Sequence, residues 1–213
     1  MVCARTARIT DMRVLVTAFD PFGGMDTNAS MMTLEKIKDK IDENIEIIKL
    51  VVPTVYNECA NVAWDTAIKE NADVILSLGQ AGGRSAVTVE VIGINYAHAQ
   101  LGDNMGNVKC GEKLFENSEA ALFSTLPVKA MVERAKECGF KADLSVSAGG
   151  FVCNSLLYTL LKNAEDTKKS IRVGFVHLPY EAGQGKEGFC MKDSDMALCV
   201  EEMIRAIKNS ERI

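Results

Sequence analysis

The sequence has little histidine: two residues, His98 and His177, in a chain of 213. Imidazole is the commonest ligand of transition metals, so a dedicated metal centre is not expected. A disulfide framework is missing too. The seven cysteines (3, 59, 110, 138, 153, 190 and 199) are odd in number, and no two stand at CxxC spacing. That pattern fits neither a stapled secreted fold nor a zinc ribbon. Basic charge is not in excess: 24 Lys+Arg against 29 Asp+Glu leave a formal charge of -5. Neither nucleic acid nor a membrane surface is expected as partner. No apolar run approaches the roughly 20 residues of a membrane-spanning helix. No GxxxxGK[ST] loop is present to cradle phosphate. The opening "MVCARTARITDMRVLV" is broken by Asp11 and does not read as a secretion signal. A cytoplasmic protein is expected.

What is present suits one globular domain. Apolar residues make up 47% of the chain and charged residues 25%, and the length supports one sizeable core. Five short runs, 13–19, 46–52, 73–78, 143–147 and 171–177, are rich in Val, Ile or Leu on both faces. Such strands belong to a sheet covered on both sides. Residues 86–94 form a sixth candidate, interrupted by Glu90. Between them lie helical patterns: Leu34, Ile37 and Ile41 share one face. Val128, Met131, Val132 and Ala135 share another, with Pro127 suited to the first turn and Gly139 to the end. Leu156, Leu157, Leu160 and Leu161 follow Cys153, and Met196, Cys199, Val200, Met203 and Ile207 make a last stripe. Strands alternating with helices predict an α/β fold with a largely parallel sheet.

In such sheets ligands bind beyond the carboxyl ends of the strands. The turns there are conspicuous: "FDPFGG" after the first strand, "GQAGGR" after the third, "AGGFVCN" after the fourth and "HLPY" ending the fifth. If the strands are parallel, these turns share one edge and bring Cys153 to His177. A cysteine at a helix start is ordinarily a small packing residue. Here the helix N-terminus favours a thiolate, and Gly149 and Gly150 offer amides to an oxyanion. The other three turns tip the balance toward a nucleophile. His177 is the stronger base candidate; His98 lies in a polar loop. A thiol–imidazole pair ordinarily has a third group orienting the ring. Glu90 can serve, because it interrupts an apolar strand; an edge glutamate facing water is the plainer alternative.

These motifs carry a resemblance. From about Val14 to Ile207 the chain resembles the pyroglutamyl peptidase I family of cysteine peptidases, through "VTAFDPFGG", "VVPTVY", "LGQAGGRSAVTVE", "AGGFVCN" and "GFVHLPY". The resemblance implies a Cys–His–Glu triad of Cys153, His177 and Glu90 that removes N-terminal pyroglutamate from small peptides. It implies that Phe19 and Phe22 flank the lactam ring, that Val152 lines the pocket and that Gln80 adds polar contacts. It also implies a single-domain α/β/α sandwich over residues 13–213, preceded by an extension at 1–12, and a homo-oligomer, dimer or tetramer. No metal or organic cofactor is implied. Several positions depart from the family pattern. Gln100 stands where the family has an arginine near the active site, Val91 follows the acid, Gly150 precedes "FVCN" and Ser155 follows "CN". Two other functions fit the residues: a thiol amidase for another cyclic or N-blocked acyl group, and a non-catalytic binder of the same fold.

Overall fold

The computed structural model describes residues 11–210. The chain runs through β1 (Met12–Phe19), α1 (Ala29–Lys36), β2 (Lys40–Asp42), β3 (Ile45–Val52), α2 (Glu58–Lys69) and β4 (Val74–Gln80). It continues through β5 (Val87–Glu90), β6 (Ile92–Ile94), β7 (Ala97–Ala99), β8 (Lys109–Glu112), β9 (Ala121–Phe123), α3 (Val128–Glu137) and β10 (Ala142–Ser145). It closes with α4 (Val152–Thr167), β11 (Arg172–Leu178), β12 (Tyr180–Glu181), β13 (Cys190–Met191) and α5 (Asp193–Asn209). Most of the expected extension, residues 1–10, lies outside the described residues, and Met12 already belongs to β1.

Seven strands form the main sheet in the order β10-β5-β11-β4-β1-β3-β2. The central four, β3, β1, β4 and β11, are parallel, and their residues alternate between two cores. Val14, Val16 and Ala18 of β1 pack under α1, α3 and α5, while Leu15 and Phe19 pack under α2 and α4. Both faces are therefore apolar, as the sequence indicated, and the architecture is an α/β/α sandwich.

The structure corrects the expected topology at one side. β5 runs antiparallel to β11, and β10 follows β5, so β10 points against the central four. The segment "AGGFVCN" therefore does not follow a parallel strand; the chain must turn back from β10 before α4 begins. The expected strand over 86–94 is also two strands. β5 ends at Glu90 in the main sheet, and β6 pairs with β9 in a separate ribbon. Between them Val91 N–H donates to Ser145 C=O.

The expected helix face of Leu34, Ile37 and Ile41 is cut short. Ile37 is extended (φ -61°, ψ 137°) and caps α1, and Ile41 lies on β2. All three still enter one core, so the apolar spacing is satisfied by a helix and a hairpin together. Gly183, Gly185 and Gly188 have GxGxxG spacing, yet they surround a single 3₁₀ turn followed by β13. The helix start that gives that spacing its phosphate affinity is missing there.

Candidate active site

The site is built on three adjoining strands and one helix. Glu90 ends β5, His177 sits near the end of β11, and Gly79 faces His177 across the β11–β4 ladder. Cys153 is the second residue of α4. Gly79 leaves the room for its sulfur: a Cβ on Gly79 would lie 3.2 Å from Cys153 Sγ and 2.8 Å from Phe175 Cζ. The parallel ladder thus seats the thiol against the histidine strand.

His177 is 3% exposed and Glu90 is fully buried. His177 Nδ1 and Glu90 Oε1 are 2.7 Å apart. An ionised carboxylate only accepts, so Nδ1 carries the hydrogen and Nε2 is left with its lone pair. Burial is the largest influence on Glu90 and works against its ionisation. The His177 contacts, a Ser145 hydrogen bond and Arg84, in that order, outweigh it, and the carboxyl is held below its usual range. Burial likewise pushes His177 down, with Arg84 adding to that and Glu90 opposing it. The imidazole is thus held neutral, as a base requires.

The thiol departs from expectation. Burial, then the Glu90 charge, push Cys153 up to about 12. Arg84 and the helix-start amide pull the other way and lose. The helix N-terminus alone does not produce a resting thiolate; the thiol is held neutral beside a neutral imidazole.

The mount of α4 explains the rest of "AGGFVCN". Asn154, 1% exposed, accepts from Ile94 N–H at 2.9 Å and donates to Ile94 C=O at 2.9 Å and Tyr96 C=O at 3.0 Å. Gly150 C=O accepts from His98 N–H at 2.9 Å, and a Cβ on Gly150 would lie 2.5 Å from His98 O. This close approach excludes any side chain there. Gly149 (φ 80°) donates its amide to Ser147 Oγ at 3.3 Å. The first intrahelical bond runs from Ser155 N–H to Phe151 C=O. The amides ahead of it, on Val152, Cys153 and Asn154, are those an oxyanion can use.

Phe22 meets Phe151 at a tilt, 6.0 Å between ring centres, and Tyr56 meets Phe151 edge-on at 5.8 Å. Phe151 is the N-cap of α4, so this aromatic row borders the thiol. Phe19 is buried against Phe175 at 6.4 Å, and Val152 is fully buried. Gln80 Oε1 accepts from Ala29 N–H at 2.8 Å and Gln184 Nε2 at 2.9 Å. It thereby ties together the turns after β1, β4 and β11. His98 and Gln100 are exposed. Tyr56, Phe151 and Asn154 stand inside motifs quoted above without a role being read from them. Sequence reasoning gives Arg84 no role, although an arginine directly after a glycine pair and six residues before a glutamate in an apolar strand is a visible signal. Its Nη1 lies 2.8 Å from Glu90 Oε1. Among the described residues no cluster suits a metal ion.

The pyroglutamyl peptidase family model matches residues 12–212. Pyrrolidone-carboxylate peptidase 1 of Caldanaerobacter subterraneus subsp. tengcongensis is 39% identical over 202 residues, 95% of this chain and 97% of the relative. Pyrrolidone-carboxylate peptidase of Thermosipho africanus is 41% identical over 169 residues, 79% of this chain and 82% of the relative. The crystal structure of Bacillus amyloliquefaciens pyroglutamyl peptidase I superposes with a TM-score of 0.90 at 33% identity, covering 94% of this chain and 98% of that one. Matched along almost its whole length by family model, relatives and solved fold, the chain belongs to the pyroglutamyl peptidase family.

Proposed function

We propose that this protein is a cysteine peptidase that removes N-terminal pyroglutamate from small peptides, with Cys153 as nucleophile, His177 as base and Glu90 as the acid that orients it. The observation that carries the assignment is the buried His177–Glu90 contact of 2.7 Å, with Cys153 Sγ packed against the strand residue paired to His177. In the first step His177 Nε2 takes the thiol proton as sulfur bonds to the carbonyl carbon joining pyroglutamate to the next residue. Helix-start amides of α4 hold the oxyanion. Collapse breaks the C–N bond, and the imidazolium gives its proton to the leaving amine. The thioester that remains is hydrolysed by a water that His177 deprotonates; the proton returns to the departing sulfur. All protons are conserved, and no cofactor enters.

The chemistry of the substrate agrees with these residue types. Pyroglutamate closes its amine into a neutral lactam, so its pocket needs aromatic and apolar surface rather than an anionic anchor. Phe22 and Phe19 supply that surface, with Gln80 and Val152 beside them. We also propose a cytoplasmic homo-oligomer, a dimer or tetramer. Six free cysteines among the described residues suit a reducing compartment. Phe123, 70% exposed, and Val146, 77% exposed, supply apolar surface for self-association.

Release of a chromophore from pyroglutamyl, prolyl and acetyl amides tests the activity. Wild type should turn over the pyroglutamyl amide by a wide margin, and Cys153→Ala should fall to background. No turnover, or equal turnover of all three amides, overturns the assignment. Light scattering on the full chain checks assembly; a monomer contradicts that part.

A further inference from the structure

We propose that Arg84 is a positioning residue of this reaction: it bridges the acid of the triad to the backbone that leads into the nucleophile's helix, and its fixed charge sits on the oxygen that faces His177. This rests on the proposed roles of Cys153, His177 and Glu90.

The geometry is unusual for an arginine three-quarters buried. Its side chain is 24% exposed while Glu90 is 0% exposed. Nη1 lies 2.8 Å from Glu90 Oε1, the same oxygen that faces His177 Nδ1 at 2.7 Å. The same nitrogen donates to Thr88 Oγ1, and Thr88 is the ladder partner of His177. Nη2 donates to Ser147 C=O at 3.0 Å, six residues before Cys153. One rigid, planar cation therefore spans both halves of the site. A lysine has one point charge and cannot hold both ends in this way.

The electrostatic consequence follows from charge order. A buried carboxylate alone beside an imidazole stabilises the imidazolium. Burial is what chiefly disfavours the imidazolium, and a permanent cation on that same oxygen offsets part of the carboxylate's attraction in the same direction. His177 feels Glu90 from β5 and Arg84 from the turn after β4; Cys153 of α4 feels the same two groups, and Tyr56 and Cys59 in turn feel Cys153. Among these charged or titratable groups, Arg84 is the only fixed cation. Holding Ser147 also fixes where the chain turns back from β10, the place where the parallel-strand argument did not apply.

The test is the pH profile of kcat/KM on a pyroglutamyl amide, with the pH dependence of Cys153 alkylation by iodoacetamide as a second readout, for wild type, Arg84→Met and Arg84→Lys. In Arg84→Met the acid limb should move to higher pH, and kcat/KM on the plateau should fall by about 10²-fold, as for a displaced catalytic group. Arg84→Lys should keep the acid limb near wild type yet lose rate, because the charge stays and the Ser147 tether is lost. An unmoved acid limb in Arg84→Met, in both readouts, overturns the proposal, as does a wild-type plateau rate in both variants. If Arg84→Met does not fold, Arg84→Lys decides alone: loss of rate with the limb retained supports the bridge, and full rate refutes it. Inactive wild type would sink the peptidase assignment instead, while the alkylation profiles would still decide the role of Arg84.

Discussion

At the scale of single residues, the site depends on atoms that are missing. Gly79 has no Cβ, and Phe175 and Cys153 occupy the space one would need. Gly79→Ala should push the sulfur from the histidine strand and cost about 1–3 kcal/mol by overpacking. Thermal melts should show a lowered midpoint, and kcat should fall with it; wild-type kcat would mean that the thiol is not seated there. Cys153 and His177 stood out in the sequence as reactive residue types among glycine turns; for Glu90 the residues alone left an edge position facing water open, and the structure buries it against His177. The state of the thiol was not legible. Helix-start stabilisation can be read from position, but the burial that outweighs it depends on packing from four elements at once.

At the scale of elements, α4 is useful only where it is docked. Asn154 makes three hydrogen bonds to the backbone around β6, from a buried position. Asn154→Ala would remove three part-buried hydrogen bonds to the backbone of Ile94 and Tyr96, at about 0.5–1.5 kcal/mol each. We expect a lower melting temperature and a kcat loss larger than the change in KM; unchanged kcat would show that α4 is positioned by its leucines alone. The leucines made α4 easy to read. By contrast α2 has little signature in the sequence, because its buried face is Cys59, Ala60, Ala63 and Ala67, a stripe of small residues with weak hydrophobic contrast. The break between β5 and β6 was also hidden. Both pieces are apolar, and the chain changes sheets at Val91, whose N–H still donates to Ser145 C=O of the β10 side while its C=O accepts from Ser124 N–H beside β9.

At the scale of the whole molecule, buried titratable groups set a window of stability. His177 is held below its ordinary 6.5, so on acidification the unfolded chain takes that proton first and stability falls from about that pH downward. Glu90 is held below its ordinary 4.5, and its contribution, present above that value, is lost at still lower pH. The thiols act at the other end. Cys153 and Cys199 are pushed up to about 12 and Cys59 higher, from an ordinary 9.0. Above pH 9 the unfolded chain therefore ionises first, and stability is lost as pH rises. Melting temperature should peak between about pH 6.5 and 9, and Cys199→Ala should flatten the alkaline limb. A melting temperature still rising above pH 9 would contradict this.

The overall layering was legible because short runs apolar on both faces demand helices on both sides. The reversed direction of β5 and β10 was not, since local sequence carries no sign of strand direction. The most direct test of the account is rapid-quench mass spectrometry of the intact protein mixed with a pyroglutamyl ester or amide. The account predicts a transient gain of one pyroglutamyl group, mapped to Cys153 and absent in Cys153→Ala. Turnover with the acyl group on another residue, or an adduct that persists in Cys153→Ala, would contradict it.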